Sequence, residues 1–236
     1  MYKRILLKIS GEALEDKANH NSYDPAVMEK VFETVKGITD KGIQVAMVVG
    51  GGNIWRGNLS GTIGIDQATG DYMGMLATLM NAMALQAFLE KHGLDVRVLS
   101  ALPVNACGEP YIRRKAIRHL EKGRVVIFAC GVGSPFFTTD SGAALRAREI
   151  DANAIFMGKN GVDGVFDSDP RTNPEAKFLA HITYQEVMDK KLGFMDLTAA
   201  GILAKSDISI HVFNMSDPNN VLRILDGEED GTVVTK

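Results

Sequence analysis

The feature that most constrains the fold is a regular alternation of short apolar runs with longer helical patterns. The runs that we predict as strands are Arg4–Ile9, Gln44–Val49, Asp95–Ser100, Arg124–Cys130, Asn153–Met157 and Ser209–Phe213. Most of them are almost continuously apolar, which is typical of strands that are covered on both faces of a sheet.

Helical patterns lie between these runs. The predicted helices are Pro25–Lys41, Asp71–His92, Ile112–Lys122, Asp140–Glu149, Thr183–Met188 and Met195–Lys205. A strand, a helix and a second strand joined in this way form a βαβ unit, and repeating the unit builds a mostly parallel sheet. The sequence therefore predicts an α/β fold with helices on both faces of the sheet, to which Thr232–Thr235 could add an edge strand.

Composition and charge exclude some classes of function. The chain has 236 residues, of which 45% are hydrophobic and 23% charged, the balance of a globular protein with a sizeable core. With a net charge of −3 it lacks the positive field of a general nucleic-acid binder, so we expect no nucleic-acid partner. No repeat, low-complexity tract or linker interrupts the chain, and we expect one domain over residues 1–236.

The N-terminal segment and the cysteines bear on the compartment. Met1–Lys8 is predicted to enter a strand and lacks the basic start and long apolar stretch of a signal peptide. Apolar runs such as Val45–Val49 are far shorter than the roughly 18 residues that cross a bilayer. Cys107 and Cys130 form neither a disulfide framework nor a spaced metal set. We therefore expect a cytoplasmic protein with reduced thiols and no membrane attachment.

Glycine is concentrated in the loops that follow four of the predicted strands. Ten of the 24 glycines lie there: Gly11, Gly50, Gly51, Gly52, Gly57, Gly131, Gly133, Gly158, Gly161 and Gly164. Ligands of open α/β sheets bind beyond the carboxyl ends of the strands, and glycine lets the backbone approach them closely. Backbone N–H groups in such loops bind anions. The sequence therefore predicts an anion site at this edge of the sheet.

Candidate phosphate ligands lie in and beside one of these loops. Successive glycines at Gly50–Gly52 free their N–H groups for phosphate oxygens, and Arg56 could add a bidentate contact. Lys8 lies in an apolar strand, where an unpaired ammonium is costly to bury, so it either reaches solvent or bridges phosphates. The chain contains no G-x-x-x-x-G-K-[ST] sequence, and Gly131–Phe136 ends in Phe where a dinucleotide-binding loop has Gly, so neither common phosphate fingerprint matches.

Other charged residues follow the same strand ends. Asp140 or Thr139 is predicted to cap a helix, and the Asp140 carboxylate could also pair with Lys8. The turn-rich segment Gly158–Pro170 is either a surface hairpin or a lid over a nucleotide, and its Lys159 offers a second cation.

An apolar stripe at helical spacing runs along the second predicted helix. Its members are Met73, Leu76, Met80, Met83 and Ala87. Such a stripe predicts either core packing or a subunit interface.

Several blocks, in order along nearly the whole chain, resemble the bacterial-type uridylate kinases of the amino acid kinase family. The blocks are Lys8–Leu14, Gly50–Asn53, Gly70–Met75, Pro135–Asp140, Lys159–Phe166 with Asp169 and Pro170, and Val212–Met215. Lys8 and the glycine loop alone would indicate only the wider family, whereas the blocks around Asp71 and Phe136–Asp140 indicate UMP as acceptor. The resemblance implies a three-layer αβα sandwich whose open, mostly parallel sheet has about eight strands.

The resemblance also implies a reaction, the phosphorylation of UMP to UDP by ATP in pyrimidine nucleotide biosynthesis. It implies ATP contacts from Lys8, Ile9, Ser10, Gly11, Gly52, Arg56, Asn160, Phe166 and Asp169. It implies UMP contacts from Gly51, Asp71, Val132, Gly133, Ser134, Pro135, Phe136, Phe137, Thr138 and Thr139. Lys8, Arg56 and Asp140 would be catalytic, and Mg²⁺ would be carried by ATP without protein side-chain ligands. Residues 1–150 would form a phosphate-acceptor lobe and residues 151–236 an ATP lobe.

Assembly and regulation follow only from the resemblance. It implies a homohexamer, and GTP and UTP as effectors. Arg97 and Arg124 match the region where relatives bind GTP, while Asn19–Asp24 departs from the family pattern there. Two alternatives stay open: another enzyme of the family, of acetylglutamate kinase type, and a non-catalytic nucleotide- or anion-binding protein on the same fold.

Overall fold

Strands and helices alternate along the computed structural model, which describes residues 2–57, 61–159, 161–170, 172–217 and 219–236. The strands are β1 (Arg4–Ile9), β2 (Gln44–Val49), β3 (Val96–Ser100), β4 (Glu109–Pro110), β5 (Val125–Ala129), β6 (Ala154–Lys159), β7 (Val165–Phe166), β8 (Phe178–Leu179), β9 (His181–Thr183), β10 (Ser209–Asn214) and β11 (Thr232–Thr235). The α-helices are α1 (Pro25–Asp40), α2 (Gln67–Lys91), α3 (Arg113–Glu121), α4 (Thr139–Glu149), α5 (Tyr184–Asp189), α6 (Leu197–Leu203) and α7 (Asn219–Leu225), and a 3₁₀ turn spans Gly11–Leu14.

Within the described ranges, nine strands form one open sheet in the order β4-β3-β5-β2-β1-β6-β10-β11-β9. Neighbouring strands are parallel except β10 and β11, so β11 and β9 run against the rest. β7 and β8 form a separate antiparallel ribbon. The predicted mostly parallel α/β sandwich is confirmed, with nine strands in the sheet where about eight were expected.

The central strands are covered on both faces, as their continuous apolar runs predict. In β1, Ile5 and Leu7 belong to a core with α1 and α2, whereas Leu6 belongs to a core with α4 and α6. Side chains alternate along a strand, so Lys8 stands on the same face as Leu6. The strand therefore directs its one charged interior side chain towards the start of α4.

Several element boundaries differ from the sequence prediction. α2 begins at Gln67 rather than Asp71, because the Asp66 carboxylate accepts a hydrogen bond from the Thr69 N–H at 3.0 Å and caps the helix. Thr138, and neither Thr139 nor Asp140, caps α4. β6 extends to Lys159, so the predicted hairpin begins beyond that residue. β4, β7, β8, β9 and α7 were not predicted, since such short elements carry little periodicity.

The apolar stripe on α2 is not core packing. Leu76, Met80 and Met83 are 46%, 54% and 40% exposed, while the opposite side of the helix packs on the sheet. By length and composition alone α2 could cross a membrane, but almost half of its most apolar stretch is buried inside the fold. Core helices satisfy the same criterion, and the buried side of α2 fits that explanation.

Candidate active site

Two clefts open at the carboxyl ends of the central strands. The glycine-loop cleft, about 290 Å³, is lined by Gly51, Gly52, Trp55, Gly57, Gly70, Asp71, Gly74, Met75, Thr78, Gly131, Val132, Ser134, Phe137, Thr138 and Thr139. The hairpin cleft, about 370 Å³, lies against the β7–β8 ribbon and includes Lys159, Phe166, Asp169, Lys190 and Phe194. Most of the predicted UMP residues thus line the first cleft, and two of the predicted ATP residues line the second.

The glycine loop after β2 is held by its carbonyl groups. The Gly50 carbonyl accepts a hydrogen bond from Asn81 at 2.7 Å, and the Gly51 carbonyl accepts from the N–H groups of Ile54 and Trp55 at 3.0 and 2.9 Å. Among the described residues, the N–H groups of Gly51 and Gly52 donate to no protein acceptor. Unpaired successive N–H groups in a glycine loop form a site for an anion.

Gly11 permits the close approach of the loop after β1 to this glycine loop. A Cβ at residue 11 would lie 2.4 Å from the Gly50 carbonyl oxygen, closer than real Cβ contacts allow. The Gly50 N–H also donates to the Ile9 carbonyl at 3.0 Å. Ile9, Ser10 and Gly11 therefore lie beside the glycine loop, as the sequence predicts.

Lys8 and Asp140 form a largely buried ion pair beside the glycine-loop cleft. The Lys8 Nζ lies 2.8 Å from the Asp140 Oδ1, and the two side chains are 11% and 17% exposed. Asp140 is positioned by the first turn of α4, whose cap Thr138 accepts from the N–H groups of Asp140 and Ser141 at 3.1 and 3.2 Å. The neighbouring Thr139 lines the glycine-loop cleft, so the pair adjoins that cleft.

A second lysine completes this charged cluster. The Lys159 Nζ donates to the Phe194 carbonyl at 2.8 Å in the hairpin cleft. Burial lowers the pKa of Lys159, the charge of Lys8 lowers it further, and the charge of Asp140 opposes both effects. Two cations thus share one nearby carboxylate, an arrangement that favours the arrival of an additional anion. The sequence indicated Lys159 only as a second cation. Its position near Lys8 could not be predicted, because it depends on the pairing of β6 with β1.

Arg56 lies beside the glycine loop but contacts protein carboxylates. Its guanidinium is 3.6 Å from Glu12 Oε1 and 3.5 Å from Glu15 Oε2, and its Nε donates to the Gly52 carbonyl at 3.2 Å. The side chain is half exposed. Exposed ion pairs contribute only about 0–1 kcal/mol, so an incoming phosphate could replace these partners.

Asp71 joins α2 to the loop that follows β5. Its Oδ2 accepts a hydrogen bond from the Phe136 N–H at 2.8 Å. Phe136 and Cys130 both have positive φ angles, 70° and 62°. Such non-glycine residues cost on the order of 1–3 kcal/mol each, so surrounding contacts must hold the loop. One such contact is the hydrogen bond from Phe136 to Asp71. A second is the hydrogen bond that the Thr78 hydroxyl accepts from the Cys130 N–H at 2.9 Å.

Asp196 contacts a residue that lines the glycine-loop cleft, and the sequence did not predict this. Its carboxylate caps α6, accepting from the Ala199 N–H at 2.9 Å, and it also accepts from the hydroxyls of Thr138 and Ser141. It therefore ties the start of α4 to the C-terminal part of the chain. The only local signal was its position before a helix, which many capping residues share.

The remaining predicted site residues differ in their placement. Gly133, Pro135 and Phe136 belong to the loop after β5 without lining the cleft, and Phe136 is 67% exposed. Asn160 lies outside the described residues.

Arg97 and Arg124 lie at the opposite, amino-terminal edge of the sheet. Both contact Asp95, with the Arg124 Nε 2.7 Å from its Oδ2. Arg97 also lines a separate cleft of about 390 Å³. Neither arginine reaches the two clefts described above.

The chain is similar to a known protein family over most of its length. The model of the amino acid kinase family matches residues 3–214. The chain is 51% identical over 234 residues to the chloroplastic uridylate kinase PUMPKIN of Arabidopsis thaliana, covering 99% of this chain and 68% of that protein. It is 48% identical over 233 residues to the uridylate kinase of Limosilactobacillus reuteri, covering 99% and 97% of the two chains.

Solved structures give the same result. The UMP kinase of Bacillus anthracis is similar with a TM-score of 0.96 and 41% identity, covering 99% of this chain and 96% of that one. The UMP kinase of Ureaplasma parvum is similar with a TM-score of 0.93 and 38% identity, covering 100% of both chains.

Proposed function

The chain belongs to the amino acid kinase family, and we infer from this premise that it phosphorylates UMP to UDP with ATP as phosphoryl donor. It is a nucleoside monophosphate kinase, which supplies a step of pyrimidine nucleotide biosynthesis. The acetylglutamate-type alternative and the non-catalytic alternative are not favoured, because relatives named uridylate kinase or UMP kinase match nearly the whole chain.

The observation that best supports this reaction is the meeting of two clefts at one charged cluster. Thr139, next to Asp140, lines the glycine-loop cleft, and Lys159, whose charge interacts with those of Lys8 and Asp140, lines the hairpin cleft. A phosphoryl transfer between two nucleotides requires their phosphates to meet end to end, with positive groups around the transferred unit. Two separate clefts with shared cations provide for that arrangement.

We assign UMP to the glycine-loop cleft and ATP to the hairpin cleft. Asp71 would bind the ribose hydroxyls of UMP, and residues 132–139 would surround its uracil and phosphate. Phe166 and Asp169, with Asn160, would cover the base and ribose of ATP. In this assignment residues 1–150 form the acceptor lobe and residues 151–236 the ATP lobe.

The proposed chemistry needs no general base. A phosphate monoester has a second pKa near 6, so UMP presents an already ionised oxygen at neutral pH. The protein then acts by positioning and by stabilising the charge of the transition state. Lys8, Lys159 and the N–H groups of Gly51 and Gly52 would supply that stabilisation, and Arg56 would join them after leaving its carboxylate partners. Asp140 would hold Lys8 in place.

We propose that Mg²⁺ enters on the ATP phosphates. The described part of the chain contains no group of three His, Cys, Asp or Glu side chains that could hold a metal ion. Mg²⁺ at phosphoryl-transfer sites is held largely by substrate phosphates and water, so such a group is not required. The bound ion would neutralise phosphate charge, and the residues above would orient the nucleotides.

A substrate panel tests the proposed function. The purified chain with ATP and Mg²⁺ should release ADP when UMP is added and not when acetylglutamate is added. ADP release with acetylglutamate alone would favour the alternative enzyme. ATP binding without turnover of either acceptor would favour the non-catalytic protein.

Replacement of Asp71 by alanine should raise the KM for UMP. A hydrogen bond to a charged group contributes about 1.5–3 kcal/mol, so we expect an increase of about 10-fold or more, with the KM for ATP nearly unchanged. Steady-state kinetics with each substrate varied in turn measures both constants. Glu90→Ala is the matched control, because it removes an exposed carboxylate from the far end of the same helix, away from the cleft. A rise confined to the KM for ATP would mean that Asp71 binds ATP, which would contradict the assignment of UMP to the glycine-loop cleft.

We also propose a homohexamer in the cytoplasm. The exposed apolar stripe of Leu76, Met80 and Met83 on α2 is the surface that best suits a contact between copies. GTP and UTP stay proposed effectors, with Arg97 and Arg124 as candidate contacts.

A further inference from the structure

A buried asparagine beneath the glycine loop has no role in the assignments above. Asn81, on α2, is 0% exposed and pairs with Asn53 of the glycine loop. Its Nδ2 donates to the Gly50 carbonyl at 2.7 Å and to the Asn53 Oδ1 at 2.7 Å. In return the Asn53 Nδ2 donates to the Asn81 Oδ1 at 3.1 Å and to the Ser22 carbonyl at 2.8 Å.

These contacts determine which way each amide points. The outer partners, the carbonyl groups of Gly50 and Ser22, can only accept hydrogen bonds. The NH₂ groups of Asn81 and Asn53 must therefore face them, and a flip of either amide would place oxygen against oxygen. Every donor of the two side chains is satisfied in this arrangement. A buried polar pair of this kind specifies one geometry of the backbone it binds.

The Gly50 carbonyl orients the next N–H group. The structure contains no cis peptide bond, and in a trans peptide the carbonyl and the N–H point in opposite directions. Asn81 lies one helical turn beyond Thr78, which lines the glycine-loop cleft. With the Gly50 carbonyl held towards Asn81, the Gly51 N–H points back towards that cleft. A peptide between two glycines rotates easily when nothing holds it.

We propose that Asn81 is a positioning residue for the reaction, which holds the Gly51 N–H on the acceptor phosphate by binding the Gly50 carbonyl. The proposal rests on the assignment of UMP to the glycine-loop cleft. Asn81 itself touches neither nucleotide in this scheme. Its loss therefore affects recognition of the phosphate and leaves recognition of the nucleoside intact.

The test compares UMP with uridine, which lacks the phosphate. In Asn81→Ala we expect the Kd and KM for UMP to rise about 10-fold or more, since an N–H bond to a charged oxygen is lost. The inhibition constant of uridine and the KM for ATP should stay within about twofold of the wild type. Trp55, the only tryptophan of the chain, lines the cleft, so its fluorescence should report UMP binding without turnover.

Gln86→Ala is the matched control. Gln86 lies on the same helix and donates its amide to the Val96 carbonyl at 3.2 Å, away from the glycine loop. Its loss should leave the ratio of the UMP and uridine constants unchanged. If Asn81→Ala does not fold, Asn81→Asp keeps the side-chain volume and replaces the donor with an acceptor. Its UMP affinity should be low at pH 8 and recover as the pH falls and the carboxyl regains a proton.

The outcomes separate this inference from the proposed function. A wild-type protein that does not turn over UMP would overturn the function itself. The positioning role alone would be overturned if the wild type turns over UMP but the affinities of the Asn81 variant for UMP and uridine fall equally. The same conclusion would follow if neither affinity falls.

Discussion

Replacing Lys8 with methionine is expected to lower kcat about 100- to 1,000-fold, the usual loss when one charge-stabilising donor is removed from a preorganised site. Methionine has a similar length and no charge, so the packing of β1 should be preserved. The Lys8 side chain is 11% exposed and forms an ion pair with Asp140 beside the glycine-loop cleft. Its ammonium is the group best placed to stabilise the negative charge of the phosphoryl group during transfer between the two nucleotides.

The same replacement leaves Asp140 without its closest cation. Lys159 already interacts with both charges and could turn towards Asp140, which would withdraw a second cation from the phosphates. We therefore expect kcat to fall much more than the KM for either nucleotide changes. Circular dichroism and the melting temperature show whether the fold is retained.

Lys36→Met is the matched control for Lys8→Met. Lys36 also pairs with an aspartate, Asp40, but on the exposed surface of α1. Its replacement should leave kcat unchanged. A Lys8→Met protein that retains kcat within about threefold of the wild type would remove Lys8 from the mechanism, since a stabilising donor is worth far more.

The sequence predicted the parts of this site that one segment encodes. A lysine inside the apolar run of β1, and a glycine run directly after β2, indicate a phosphate site because each departs locally from what a buried strand or simple turn requires. The parallel sheet also follows from local patterns, since repeated βαβ units have few other solutions.

Contacts between distant segments could not be predicted in the same way. Lys159 meets Lys8 because β6 pairs with β1, and Asp196 meets Thr138 because α6 packs on α4. Asn81 occurs in the apolar sequence of α2, and only the structure places it under Gly50. The Arg56 contacts with Glu12 and Glu15 likewise depend on how two loops meet.

The stability of the fold is expected to fall as the pH drops from 7 to 4, with His211 as a major cause. His211 on β10 is 6% exposed and stacks on Phe156 with ring centroids 4.9 Å apart. Its Nε2 faces the hydroxyls of Tyr2 at 2.8 Å and Ser209 at 3.2 Å. Its Nδ1 has no hydrogen-bond partner among the described residues. Among the described residues no carboxylate pairs with the ring, so an imidazolium there would lack a counter-charge.

Burial lowers the pKa of His211 from 6.5 to about 4 in the folded protein. The unfolded chain thus binds a proton at this residue from about pH 6.5 downwards, while the folded protein does not until about pH 4. The stabilisation is fully present above pH 6.5 and is lost as the pH falls towards 4. A difference of about 2.5 pKa units corresponds to about 3 kcal/mol of unfolding free energy. Burial raises the pKa of Tyr2, so its hydroxyl stays neutral throughout this range.

His211→Gln isolates this contribution, because glutamine stays neutral at every pH and keeps an acceptor for the Tyr2 hydroxyl. Urea unfolding at pH 7, 5.5 and 4 should show that the variant loses about 3 kcal/mol less than the wild type over this interval. Carboxylates that titrate in the same range are common to both proteins and cancel in the comparison. His181→Gln, which replaces an exposed histidine on β9, should behave as the wild type. Parallel pH profiles for wild type and His211→Gln would mean that the buried ring is not what makes the fold sensitive to acid.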